Sequence, residues 1–253
     1  MFPRATSLKL IGTLLFLSPK VPLTIAVGQE TPTVVREAAS SGYQTRMVEG
    51  WRVQVKQDLL ADQRAATEAA LILLQLQLAE ILRVVPPKSV QRLREVTLWF
   101  SPEYAGITPR AEYHPDVGWL RANRRNPEMV QGVEFTDIRN FEREMKRMPN
   151  FVLHELAHAY HDRVLGFDQP DIIAVYEAAK QAGSYDSVER TRGDGSPLTR
   201  ERAYALTDPK EYFAEGSEAF FSRNDFFPFN RAELHRHDPR LEEVLERLWG
   251  RND

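Results

Sequence analysis

The thirteen residues Phe151-Val152-Leu153-His154-Glu155-Leu156-Ala157-His158-Ala159-Tyr160-His161-Asp162-Arg163 decide how this chain reads. They belong to a helical pattern from Asp137 to Leu165, which Pro149 divides into two helices. His154 and His158 stand four apart, one helical turn, so both imidazoles can reach one ion from the same face. Glu155, next to His154, points toward a water on that ion, and the H-E-x-x-H spacing is that of a metal site with its general base. The flanking Phe151, Val152, Leu153, Ala159 and Tyr160 carry no charge, so the charges inside the motif fall only where chemistry uses them. The bland alternative is a buried histidine pair with Glu155 in a salt bridge.

Two histidines need a third protein ligand and one open position to make a catalytic zinc site. A metzincin places Gly three residues and His six residues after the second histidine. Here those positions hold His161 and Val164, which excludes that class. His161 shares the helical face of His154 and His158, but an ion held between those two lies about a turn short of it at ~1.5 Å rise per residue. The other source is a carboxylate from a later helix. Glu211, Glu215 and Glu218 stand at i, i+4 and i+7 between Asp208 and Phe221, all on one face. Three stacked carboxylates repel one another unless something positive faces them, and a cation supplies that charge. Locally, Glu211 also fits as the capping-box partner of Asp208, and Glu215 and Glu218 fit as salt-bridged surface residues.

His154 to Asp162, followed about fifty residues later by Tyr204-Ala205-Leu206-Thr207-Asp208-Pro209-Lys210-Glu211-Tyr212-Phe213-Ala214-Glu215, resembles the gluzincin-like zinc metallopeptidases related to the catalytic domain of anthrax lethal factor and to the Mlc titration factor A peptidases. The resemblance implies a zincin-like fold and a zinc ion held by His154, His158 and Glu211. It implies Glu155 as general base, Tyr204 as a donor to the transition state, and Glu215 as the carboxylate behind the metal that orients a ligating histidine. The implied activity is hydrolysis of a peptide or protein substrate. A catalytically inactive module of the same fold, kept for binding, is the alternative from another class.

Outward from the motif, composition narrows the chemistry. The chain has 253 residues and no cysteine, which removes disulfides, thiolate nucleophiles and every sulfur-ligated metal site. Any metal must sit on His, Asp or Glu. A net charge of -3 gives no basic field for phosphate backbones, so nucleic acid is not an expected partner. Arg4 and Lys9, the apolar run Leu10–Leu17 and the small residues Ala26-Val27-Gly28 read as a signal peptide over residues 1–28. Its removal takes away Arg4, Lys9 and Lys20 and no acid, which moves the charge from -3 to -6. The expected location is secreted or in a bacterial cell envelope, without a stable membrane span, because the leader's apolar run is far shorter than the roughly 20 residues a span needs.

Residues 29–50, rich in Thr, Ser and Ala without a period, read as a linker, and 51–253 as one α+β domain with a small mixed sheet, an active-site helix and a mostly helical C-terminal part. Strands are expected at Trp51–Val55, Val96–Phe100 and Gly132–Thr136, with short extended pieces around the turn His114-Pro115-Asp116-Val117-Gly118. Ala61–Val85 is the longest helical pattern, and Gln75, Gln77 and Glu80 mark it as a core helix. An extended peptide substrate is expected to pair with a strand near Ala111–His114 or Gly132–Thr136. Ser184–Arg202 reads as a hairpin or mobile loop, with its Arg192-Gly193-Asp194 as turn chemistry. His114, His235 and His237 are read as surface or core residues, and the aromatic cluster Phe226–Phe229 as an anchor for the last helices.

Overall fold

A computed structural model describes residues 42–136 and 138–250; the signal peptide and the first part of the expected linker lie outside the described residues. In chain order come β1 (Tyr43–Val48), β2 (Trp51–Lys56), α1 (Gln57–Asp62), α2 (Arg64–Val84), α3 (Pro87–Leu93), β3 (Leu98–Phe100), β4 (Ala111–Tyr113), α4 (Val117–Ala122) and β5 (Val133–Phe135). Then follow α5 (Phe141–Arg147), α6 (Phe151–Tyr160), α7 (Pro170–Ala182), β6 (Val188–Arg190), β7 (Thr199–Glu201), α8 (Pro209–Phe221), α9 (Arg231–His237) and α10 (Pro239–Trp249).

Five strands form a mixed sheet in the order β1-β2-β3-β5-β4. The inner pairs β2–β3 and β3–β5 are parallel, and the outer pairs β1–β2 and β4–β5 are antiparallel. β3 and β5 are buried on every residue, as central strands covered on both faces require. β4 is an edge, and it borders the motif helix α6.

Two sequence expectations need correction. The end of the 29–50 linker is strand β1, paired along its whole length with β2. Only Tyr43 and Thr45 of it are buried, so its apolar signal is thin, and its turn is made by Glu49 and Gly50 at φ 49° and 89°. The second expected extended piece after His114 is helix α4, because the Asp116 carboxylate accepts from the Trp119 N–H and caps it.

α2 has the length and apolar character of a membrane-crossing helix, yet Leu71, Leu74, Leu78 and Ile81 pack into the core against the sheet and the α5–α6 layer. Its buried Gln77 completes the start of α6: the Oε1 accepts from the Val152 N–H at 3.1 Å, and the backbone carbonyl accepts from Asn150 Nδ2. Asn150 in turn caps Leu153 N–H, so two of the orphan donors at the N-terminus of the motif helix, Val152 and Leu153, are satisfied inside the protein. After Tyr160 the helix widens into a π turn over His161–Leu165 and stops at Gly166, φ 83°.

The C-terminal half packs α8 against α6 and holds α10 over α8. Gly216 lets α10 approach closely, since a Cβ there would meet Leu241 Cδ2 at 2.8 Å. Trp249 stacks between Tyr160 and Phe213, donates its indole N–H to Ser217 Oγ, and its carbonyl accepts from Ser89. The expected hairpin is present as β6–β7. Gly193 in its loop lies against the end of α5, where a Cβ would fall 2.1 Å from the Lys146 carbonyl oxygen, so this glycine is a packing requirement.

Candidate metal centre

Each side chain of the site is set by a helix that the sequence terminates clearly. α6 projects His154 and His158 from one face, one turn apart. α8 begins at Pro209, with Asp208 accepting from the N–H groups of Lys210 and Glu211. That cap fixes the first turn of α8 and therefore the direction of Glu211. α8 crosses α6 and brings Glu211 to the histidines: His154 Nε2 and His158 Nε2 are 3.1 Å apart, and Glu211 Oε2 lies 3.2 Å from the first and 3.4 Å from the second.

These three distances test whether the residues fit a zinc ion. Zn–N and Zn–O bonds of about 2.0–2.1 Å at tetrahedral angles put neighbouring ligand atoms about 3.3 Å apart. The triangle of donors matches one face of that tetrahedron, and all three residues line the cleft. Proton bookkeeping agrees. His154 Nδ1 lies 2.7 Å from Glu218 Oε1, so Nδ1 carries a proton for that carboxylate and a neutral ring turns a bare lone pair at Nε2 toward Glu211. Two acceptors at 3.2 Å need a cation between them. Without metal, that cation is a proton: burial disfavours charging His154, but its hydrogen bonds to Glu211 and Glu218 outweigh burial and raise its pKa well above the ordinary imidazole value. Burial likewise opposes the Glu211 carboxylate, and the two histidines reverse this and hold its pKa far below the usual range. A proton joins two of the donors, whereas a metal ion serves all three.

Glu215 does not take the role expected for it. Its carboxylate is 3.9 Å from His154 Nδ1 and is held by Asn224 Nδ2 at 3.0 Å; the partner that orients His154 is Glu218. Both glutamates are buried, not surface residues. Burial raises the pKa of Glu218 to about 7 against the pull of His154, and burial together with the charge of Glu218 raises that of Glu215 well above normal.

Glu155 sits at the cleft side of α6, where its Oε2 accepts the Tyr113 backbone N–H from edge strand β4 at 2.8 Å. The Tyr113 hydroxyl donates to Asp162 at 2.7 Å, so one residue of β4 grips the helix twice. Of the two strands considered for pairing with a peptide, β5 is ruled out, since it is occupied on both sides by β3 and β4. Tyr204 is half exposed, and its hydroxyl donates to Glu211 Oε1 at 3.3 Å. Burial and the Glu211 charge push its pKa up to about 12. His154, Glu155, His158, Tyr204 and Glu211 all line one cleft of about 670 Å³ with β4 along one side.

The remaining histidines are elsewhere. His161 is fully buried against Phe167 and Phe213, and neither ring nitrogen has a partner among the described residues. His114 is buried on Glu134, which also receives Arg125 and the Tyr104 hydroxyl. Exposed His235 pairs with Glu242, and His237 rests on Tyr185 and Phe227. Sequence reasoning missed the Glu134 network and the Gln77 anchor. It also missed the arginines of the cleft wall, whose spacing along the chain carries no signal.

No family model, no curated protein and no solved structure matches this chain.

Proposed function

We propose that the protein is an exported zinc-dependent peptidase of the gluzincin type, with a zincin-like arrangement of edge strand, motif helix and ligand helix. The convergence of His154, His158 and Glu211 at 3.1–3.4 Å, within a cleft that also holds Glu155 and Tyr204, carries this reading. The donor set supplies three protein ligands and lies on the wall of the cleft, as a catalytic rather than a structural site requires.

Zinc bound there would polarise a substrate carbonyl and lower the pKa of a water to about 7. The chain's own groups do the rest. Edge strand β4 offers the outward backbone groups of Ala111 to an extended peptide. Glu155, pinned through Oε2 by Tyr113 N–H, keeps its other oxygen for the attacking water, takes its proton and delivers it to the leaving amine. The Tyr204 hydroxyl, still protonated throughout the neutral range, donates to the oxygen that gains charge. Glu218 fixes the ring and tautomer of His154.

The test is zinc content and peptide cleavage of the mature chain and of Glu155→Gln. Retained metal with cleavage abolished is the expected result; unchanged cleavage in the variant overturns the mechanism, and no chelator-sensitive cleavage by the parent overturns the activity.

A further inference from the structure

The wall of the cleft formed by α5 and β6 is cationic, and we infer that it binds a carboxylate carried by the peptide close to the scissile bond. This rests on the peptidase reading and deepens it by naming a substrate class. Arg143 and Arg147 of α5 and Arg190 of β6 line the same cleft as the metal-binding residues. α5 leads directly into α6, whose Phe151 also lines the cleft one turn, about 6 Å, before Glu155.

Buried Asp225 organises this wall. It accepts Arg147 Nη1 at 2.8 Å and Arg190 Nε at 3.2 Å, which sets the two guanidinium groups side by side. Glu144 Oε2 takes Nε and Nη2 of Arg147, Glu201 takes Nη1 of Arg190, and the Phe226 ring lies under the Arg190 guanidinium. β6 is itself tied to the 225–227 segment by the bonds Thr191 N–H to Asp225 and Phe227 N–H to Glu189. Arg147 and Arg190 are thus held in place by the fold before any ligand arrives, which lowers the entropic cost of binding one.

Their donors are not used up. Arg190 Nη2 has no partner among the described residues and is not a buried atom. Arg143, with its side chain 71% exposed, makes only a 3.5 Å contact to Glu144, a carboxylate that Arg147 already occupies. On this wall three guanidinium groups, Arg143, Arg147 and Arg190, line the cleft beside two carboxylates, Glu144 and Asp225; Glu201 lies behind, shared by Arg190 and, at 4.0 Å, Arg192. A planar anion completes such a set, and on a peptide the planar anion is a carboxylate, from an acidic side chain or from the C-terminus.

The experiment uses the zinc-loaded Glu155→Gln chain, so that affinity is read without turnover. Four otherwise identical peptides are compared: Gln or Glu beside the central bond, each with a free or amidated C-terminus. Binding about tenfold tighter for peptides bearing the added carboxylate, weakening with salt and lost in the Glu155→Gln/Arg143→Glu double variant, is expected. The side-chain and terminal arms identify which carboxylate is held. Equal affinity across the set, including none measurable, or a preference undiminished by Arg143→Glu, overturns the inference. The parent enzyme separates this from the peptidase reading: cleavage without acidic preference refutes only the carboxylate site, whereas acidic-selective binding without any cleavage refutes only the activity.

Discussion

His154 Nδ1 and Glu218 Oε1 are 2.7 Å apart in the protein interior, and Glu218 lies seven residues beyond Glu211 on the same helix. α8 therefore grips both edges of one imidazole, Glu211 at Nε2 and Glu218 at Nδ1. Glu211→Ala is expected to cause the largest loss of zinc affinity, Glu218→Gln a loss of about 10- to 100-fold, and Glu215→Gln a smaller one. Chelator competition gives the order, and a stronger effect of Glu218 or Glu215 than of Glu211 would show that the third ligand is misassigned.

In the proposed site, zinc would displace the proton that His154 holds when no metal is bound. Because that pKa is raised, zinc affinity is expected to fall by about tenfold for each pH unit below it, and to keep falling from pH 7 to pH 5. Calorimetric titration in buffers of different ionisation heat should also register proton release on binding. In the metal-free chain the sign runs both ways. The raised His154 pKa contributes stability at low pH that is lost as pH rises through the folded value, while the depressed Glu211 pKa contributes stability that is lost as pH falls below about 4.5. An affinity that stays flat across this range would contradict the ligand set.

The Tyr204 hydroxyl donates to Glu211 Oε1 at 3.3 Å. Tyr204→Phe is expected to lower kcat by about 100-fold with unchanged zinc content and little change in KM, the pattern of a group that acts on the transition state. A raised KM at full kcat would make it a substrate contact instead.

His161 is held neutral in an apolar pocket, where burial lowers its pKa to about 4. The unfolded chain takes up a proton near pH 6.5 that the folded chain refuses until about pH 4, so stability falls as pH drops through that interval. His161→Phe removes two unpartnered nitrogens as well as the titration. Thermal melts are expected to show stability at pH 7 maintained or increased by about 1 kcal/mol, and an acid-unfolding midpoint at lower pH. A midpoint that does not move would mean that the ring is protonated or hydrogen-bonded in solution.

Helical features of this chain were readable because their signals are local. Histidines four apart must share a face, and Asp208-Pro209 must start a helix, so the positions of α6 and α8 follow from periodicity and capping. Which glutamate meets His154 Nδ1 was not readable: Glu215 and Glu218 lie on nearly the same face, and the choice depends on how α8 crosses α6. β1 escaped for another reason, since only Tyr43 and Thr45 of it are buried and its identity rests on pairing with β2. The Glu134 network escaped because its members come from strand β5 and three separate loops, and only the folded chain brings them together.

Gln77 gives the motif helix a history. The first turn of α6 finds its hydrogen-bond partners 73 and 75 residues earlier in the chain, and the ring of His154 finds its own 57 and 64 residues later. Each of these closures costs loop entropy that only the assembled core repays. An ion that required all three donors would find them together only in the assembled protein. Zinc retention by a fragment or a damaged chain would therefore serve as a measure of folding fidelity, separate from any measure of catalysis.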